Sequence, residues 1–175
     1  MDEKKEKRIL VPTDGSEDME AVLKMAVDIA HSINARIYVM YVVDLTPFID
    51  FPEDEQVQLL KAKLYEEGWN ALHNTEKIAR TLGAEVELII EEGNPAEKII
   101  KKAKRLKVDL IVMGTRHEGI ERYIPAYTTS DKLKEIAGRI GAELTRTLFG
   151  SVADKVIKSA PCDVLAVPLL TKEEM

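Results

Sequence analysis

At 175 residues, 45% of them hydrophobic and 32% charged, the chain has globular composition and the length for one sizeable core, which argues against two ordinary domains. Its net charge of −6 sets it against broad affinity for nucleic acid or anionic membrane, and no apolar run approaches the ~20 residues that span a bilayer. A single cysteine, Cys162, excludes an internal disulfide, and the charged opening stretch carries no cleavage-like site, so a soluble cytoplasmic domain over 1–175 is expected.

Short β-branched runs alternate with longer segments of helical period along the chain. Arg8-Ile9-Leu10-Val11-Pro12 reads as a strand. After Thr13-Asp14-Gly15, Ser16 is a good N-cap, and Glu17, Asp18 and Glu20 suit a first helical turn. Val22, Met25, Ala26, Ile29, Ala30 and Ile33 then recur at helical spacing and predict one buried stripe, with the helix ending near Asn34. The run 36–43 is almost continuously β-forming, as in a central parallel strand buried on both faces. A loop over 44–51, with Pro47, precedes a long helix over about 53–82, in which Trp69 is expected to pack and which Gly83 stops.

A third strand follows at 86–91. Asn94 can cap and Pro95 can open a helix whose buried stripe is Ile99, Ile100, Ala103 and Leu106, while the basic run 98–107 forms its wet face. Asp109-Leu110-Ile111-Val112-Met113 is a fourth strand, ending at Gly114. The stretch 118–140 is the least regular, with Pro125, Thr128 and Thr129 and a predicted helix from Asp131, and reads as a partly helical insertion. Gly150-Ser151 opens a last helix that stops at Pro161, and 163–168 is a fifth strand, with Cys162 before it as a small buried residue. Strands joined by crossover helices of this length predict an α/β fold with a five-stranded parallel, doubly wound sheet and helices on both faces.

In such sheets ligands sit outside the carboxyl ends of strands where the strand order reverses. Three segments qualify: Pro12-Thr13-Asp14, Met113-Gly114-Thr115-Arg116 and Gly150-Ser151-Val152. Gly150 and Ser151 at a helix start suit a phosphate, whereas the acids Asp14, Glu17, Asp18 and Glu20 repel one and suit the base or sugar end of a nucleotide. No Gly-x-Gly-x-x-Gly and no glycine loop with a Walker lysine is present, so Rossmann oxidoreductases and P-loop NTPases are disfavoured. His31 and His73 have no Cys or His neighbours at ligand spacing, which predicts no metal site, and no catalytic set is visible.

Four blocks carry a family resemblance: the run 9–16 (Ile-Leu-Val-Pro-Thr-Asp-Gly-Ser), Gly93-Asn94-Pro95-Ala96-Glu97, the run 109–116 ending Met-Gly-Thr-Arg, and Gly150-Ser151-Val152-Ala153-Asp154-Lys155 with the run 160–167. Together they resemble the universal stress protein family over almost the whole chain. That resemblance implies strand order 3-2-1-4-5, so that Asp14 and Gly114 flank the reversal. It also implies ATP or AMP, with Mg²⁺ accompanying a triphosphate. By resemblance, Asp14 would hydrogen-bond the adenine, Val42 would meet the base through its backbone, Gly114, Gly150, Ser151 and Val152 would hold ribose and phosphates, and Pro12, Thr13, Met113 and Arg116 would line the pocket. ATP-binding members resemble Gly-x-x-Gly, nine residues, then Gly-Ser or Gly-Thr. Here Gly114 and Gly150-Ser151 fit, but His117 stands at the second glycine, and Gly138-Arg139-Ile140-Gly141 leaves only the eight residues 142–149 before Gly150.

The resulting expectation is a dimeric, nucleotide-binding stress-response sensor or regulator with at most slow ATP hydrolysis. Two alternatives stay open. One is a nucleotide-free interaction module whose crevice is closed by His117 and the insertion, and the other is an ATP-hydrolysing or adenylating enzyme with the insertion as lid. The final strand, Val164-Leu165-Ala166-Val167, is expected at a sheet edge, and the family pairs it antiparallel with its copy. The insertion is also a candidate surface for a protein partner.

Overall fold

The β1 strand, Lys7–Pro12, sends Ile9 and Val11 into one apolar cluster and Leu10 into another. Alternate side chains of a strand point to opposite faces, so a strand apolar at every position requires a core on each side. In the computed structural model, which describes residues 5–45, 50–115, 127–128 and 151–169, both cores are present. Helices α1 (Met19–Ile33) and α2 (Glu55–Thr81) cover the first face through Met19, Val22, Leu23, Leu72 and Ala79. Helices α3 (Pro95–Arg105) and α4 (Ser151–Ser159) cover the second through Ile99, Ala103, Ala153 and Val156.

The remaining strands are β2 (Ala35–Val43), β3 (Val86–Glu92), β4 (Leu110–Thr115), β5 (Tyr127–Thr128) and β6 (Asp163–Pro168). They lie in the order β3-β2-β1-β4-β6-β5. The five long strands are parallel, with the expected order 3-2-1-4-5 when they alone are numbered. The two-residue β5 is an addition within the stretch 118–140. It runs antiparallel to β6 and sets Tyr127 against Ala166 and Thr128 against Leu165. The final strand is therefore not a bare edge over those two residues, because the chain supplies its own neighbour. The expected helix from Asp131 lies outside the described residues, as do His117 and Gly138 to Gly141.

Other boundaries follow local chemistry. Asp54 caps α2, its side chain accepting from the Val57 N–H at 2.9 Å. Asn94 caps α3 by accepting from the Glu97 N–H at 3.1 Å, with Pro95 in the first turn. Strand β4 continues through Gly114 and Thr115, which pair with Val167 and Pro168. Three expectations are corrected. Ser16 does not cap α1, which starts at Met19 after Asp18. The Asp14 carboxylate instead accepts the Ser16 N–H at 3.0 Å and holds that segment in a turn. The buried face of α1 runs through Val22, Leu23, Ala26, Val27 and Ala30, leaving Met25 and Ile33 exposed. Trp69 is also exposed, its ring stacked on His73 with centroids 5.9 Å apart, because α2 turns Leu72 and Ala79 inward instead.

Cys162 is half-buried against the α3/α4 core, where burial pushes its thiol up to about 11. Among the described residues no helix is long and apolar enough to cross a membrane.

The strand reversal is held at one end by a specific lock. Beyond strand pairing at Ile9 with Leu110 and Leu10 with Ile111, the Arg8 N–H donates to the Asp109 carboxylate at 2.9 Å, and the Asp109 N–H donates to the Arg8 carbonyl at 2.9 Å. The Arg8 guanidinium adds a 2.7 Å bond to the Leu106 carbonyl. Replacing Asp109 by Ala removes a charged acceptor and should lower stability by about 1.5 kcal/mol. Urea unfolding should show a lower midpoint with unchanged slope, and Asp109→Asn, which keeps an acceptor, should lose less.

Candidate functional site

At the carboxyl ends of β1 and β4 the chain forms a cavity of about 350 Å³, lined by Pro12, Thr13, Asp14, Met40, Val42, Pro95, Ile99, Met113, Gly114, Val152 and Ala153. That volume lies near the lower bound for small-molecule sites. The opening arises from strand register. β1 and β2 pair along their full common length to Pro12 with Met40, and β4 and β6 pair to Thr115 with Pro168. Between β1 and β4 the ladder ends at Leu10 with Ile111, so the last residues of the two strands leave a crevice.

Each wall has a local cause. The Thr13 N–H donates to the Met40 carbonyl at 2.9 Å, which ties the end of β1 to β2. The Gly15 N–H donates to Thr13 Oγ1 at 3.1 Å and the Ser16 N–H to Asp14 Oδ1 at 3.0 Å, two side-chain bonds that fold the loop back on itself. Gly15 has φ +80, and a Cβ there would stand 2.7 Å from Ala71 Cβ of α2. Across the crevice, a Cβ on Gly114 would stand 2.7 Å from Leu169 Cδ1, so glycine lets Leu169, directly after β6, pack over β4. Thr13 is buried at its base, while Asp14 is exposed at the mouth.

The lining is mostly apolar, and Asp14 is its one charged member among the described residues. Burial, then the carboxylates of Glu67 and Asp14, holds the neighbouring Tyr41 hydroxyl above its ordinary range. Two hydroxyls near the loops, Ser16 Oγ and Thr115 Oγ1, are buried and have no hydrogen-bond partner among the described residues. Among the described residues no group of three His, Cys, Asp or Glu side chains is placed to hold a metal ion.

Of the residues expected at the site, Pro12, Thr13, Asp14, Val42, Met113, Gly114 and Val152 are brought together around this cavity. Ser151 begins α4 directly before Val152. Arg116 and Gly150 lie outside the described residues. Met40, Pro95, Ile99 and Ala153 were not anticipated as lining. The signals were available: Met40 shares a strand face with Val42, Ile99 lies one helical turn beyond Pro95, and Pro95 opens the helix that leaves the same end of the sheet.

Gly15→Ala should be the most damaging small change in the loop, since it combines a left-handed backbone with a close approach to α2. A loss of about 2 kcal/mol is expected by chemical unfolding, against near neutrality for Gly83→Asn, where φ is also positive but nothing stands within 4 Å.

The model of the universal stress protein family matches residues 6–133 and 136–168. Universal stress protein MJ0531 of Methanocaldococcus jannaschii is 38% identical over 167 residues, covering 95% of this chain and 85% of that protein. Among solved structures, the protein MJ0577 is similar at a TM-score of 0.67 and 30% identity, covering 95% of this chain and 98% of its own. The universal stress protein from Archaeoglobus fulgidus in complex with dAMP shares the fold, with a TM-score of 0.57, 21% identity, and coverage of 92% of this chain and 97% of that one. With a family match along nearly its whole length and a close curated relative, the chain belongs to the universal stress protein family.

Proposed function

We propose that the chain, acting as one unit with its insertion, is an adenine-nucleotide-binding regulator that holds ATP or AMP in the crevice between β1 and β4 and turns it over little or not at all. The observation that carries this reading is the apolar cavity with a single carboxylate, Asp14, at its mouth and the first turn of α4 beside it. A flat heteroaromatic base is the kind of group such a slot takes: its faces are apolar and its edge presents hydrogen-bond donors to a carboxylate.

In this reading Met40, Val42, Ile99 and Met113 enclose the base, Asp14 accepts from its amino edge, and Pro12 and Thr13 form the floor. Gly114 and Val152 border the ribose, while Gly150, Ser151 and Arg116 meet the phosphates at the start of α4, where free backbone N–H groups favour anions. A Mg²⁺ ion would arrive with a triphosphate, since no ready-made cluster of ligands stands among the described residues. The dAMP complex of the same fold supports the choice of adenine. Little turnover is expected because the described lining offers no Lys or Arg to neutralise a transferring phosphate. Such a protein would act through its bound state in the cytoplasm, as a homodimer paired through Val164-Leu165-Ala166-Val167.

The test is mass spectrometry of nucleotide released on denaturing the purified protein, followed by calorimetric titration of the stripped chain with ATP, AMP and GTP. Saturable adenine-nucleotide binding is expected, weakened about tenfold by Asp14→Ala, the loss of roughly one hydrogen bond to a charged group. Val42→Trp, which fills the cavity, should abolish it. Equal binding of GTP, or wild-type affinity in Val42→Trp, would contradict the assignment. No released nucleotide and no heat would instead favour a nucleotide-free interaction module.

A further inference from the structure

The basic residues of α3 are not spread evenly over its wet face. Lys98, Lys101, Lys102 and Arg105 fall at i, i+3, i+4 and i+7, which lays them in one stripe about 10 Å long, beside the arc that buries Ile99 and Ala103. The stripe lies over the edge strand β3, where its four cations and Glu91 line a hollow of about 80 Å³. Glu91 engages one of them. Its carboxylate pairs with Lys102 at 2.5 Å, leaving 31% and 16% of the two side chains exposed. Among the described residues Lys98, Lys101 and Arg105 have no carboxylate within ion-pair distance. The acid of α3 itself, Glu97, turns away to Lys155 of α4 at 3.3 Å.

Four cations against one carboxylate leave three positive charges in excess at this hollow, on a chain whose net charge is −6. The bond from Lys102, with the charges of Lys98 and Arg105 beyond it, holds the Glu91 carboxyl below its ordinary range, as a locally positive field does. Lys98 is gathered in by its turn: a Cβ on Gly93 would stand 2.7 Å from Lys98 Cε, so glycine lets the lysine stem cross there. Like charges at helical spacing repel and weaken the helix, and a ligand that neutralised them would recover that loss.

We propose that this hollow is a second ligand site, separate from the crevice, and that it takes a short oligophosphate laid along the stripe. The volume is far below the roughly 300 Å³ at which small-molecule sites begin, so no nucleoside enters, and the lining is charged where such sites are apolar. The Arg105 fork matches phosphoryl oxygens, and the ammonium groups add rotatable donors. A single phosphate does not reach both ends of the stripe, whereas a long polyanion would run out onto a surface of the opposite preference. The inference stands whether or not the crevice binds nucleotide.

The test is amide NMR of the full chain titrated with tripolyphosphate and, separately, with inorganic phosphate, at fixed ionic strength and without magnesium. Tripolyphosphate should give saturable shifts at Glu91, Lys98, Lys101, Lys102 and Arg105 and bind about tenfold more tightly than phosphate. Lys101→Gln with Arg105→Gln should weaken it about tenfold, while the same charge loss over the opposite face of the sheet, Lys24→Gln with Lys63→Gln, should change it less than about twofold. Glu91→Gln, which removes the competing carboxylate, should tighten it about threefold. Val42→Trp, which fills the crevice, should leave the α3 shifts in place. Circular dichroism verifies that each variant is folded.

Shifts confined to the crevice and the start of α4, or α3 shifts lost in Val42→Trp, would overturn a separate site. Equal weakening by the two charge-loss pairs would reduce the effect to diffuse electrostatics, and equal affinity for phosphate and tripolyphosphate would overturn the oligophosphate assignment. Weaker binding in Glu91→Gln would contradict the role given to that carboxylate.

Discussion

The pairing of β1 with β4 is the constraint on which the rest of the structure depends. The chain lays β2 and β3 on one side of β1, then must return to its other side with a strand that lies some 100 residues away, the Arg8 to Asp109 hydrogen bond spanning a separation of 101. That return is secured only near the amino ends, by Ile9 and Leu10 against Leu110 and Ile111 and by the exchange between Arg8 and Asp109. At the carboxyl ends the ladder has stopped, and α3 and α4 approach the gap from one face. The crevice is thus a consequence of strand order and register, and side chains then give it its chemistry.

Those side chains sort by face. Strand residues at even positions, Leu10, Met40 and Val42, share a face with Ile99 of α3 and Ala153 of α4, so the core under the second helical layer continues into the wall of the cavity without a break. A planar apolar ligand would extend that core. The loop after β1 supplies what the core lacks, a carboxylate at the mouth, and two side-chain hydrogen bonds fix the turn that carries it. The acids around Asp14 disfavour phosphate at that end, which is why the proposed orientation points phosphate toward α4.

Much of this was legible in the sequence, and for identifiable reasons. Asn94-Pro95 and the stop at Gly83 are local signals whose chemistry does not depend on the rest of the fold, and the structure has Asn94 bonded to Glu97 and Gly83 at φ +81. The parallel sheet followed from apolar runs too continuous for a one-sided strand. The errors share a different cause. Ser16 is a good cap in isolation, but Asp14 engages its N–H first and delays the helix to Met19. Trp69, Met25 and Ile33 are apolar by type, yet which arc of a helix faces inward is decided by where the helix docks, and helical spacing alone leaves neighbouring arcs equivalent. Strand β5 was the hardest to see: two residues carry no periodicity, and its pairing depends on β6, nearly forty positions further along. At the site, the loop residues were legible from their place at the carboxyl ends of strands and from the family resemblance, whereas Met40, Pro95, Ile99 and Ala153 become lining residues only when two strands and two helices converge.

Methyl NMR can locate an adenine nucleotide in this crevice as opposed to any other surface. Met40 and Met113 line the cavity, while Met25 is exposed on α1 over the opposite face of the sheet. With carbon-labelled methionine methyls and AMP titrated in, Met40 and Met113 should shift saturably while Met25 stays unmoved. Shifts confined to Met25, or none at saturating AMP, would contradict binding in the crevice.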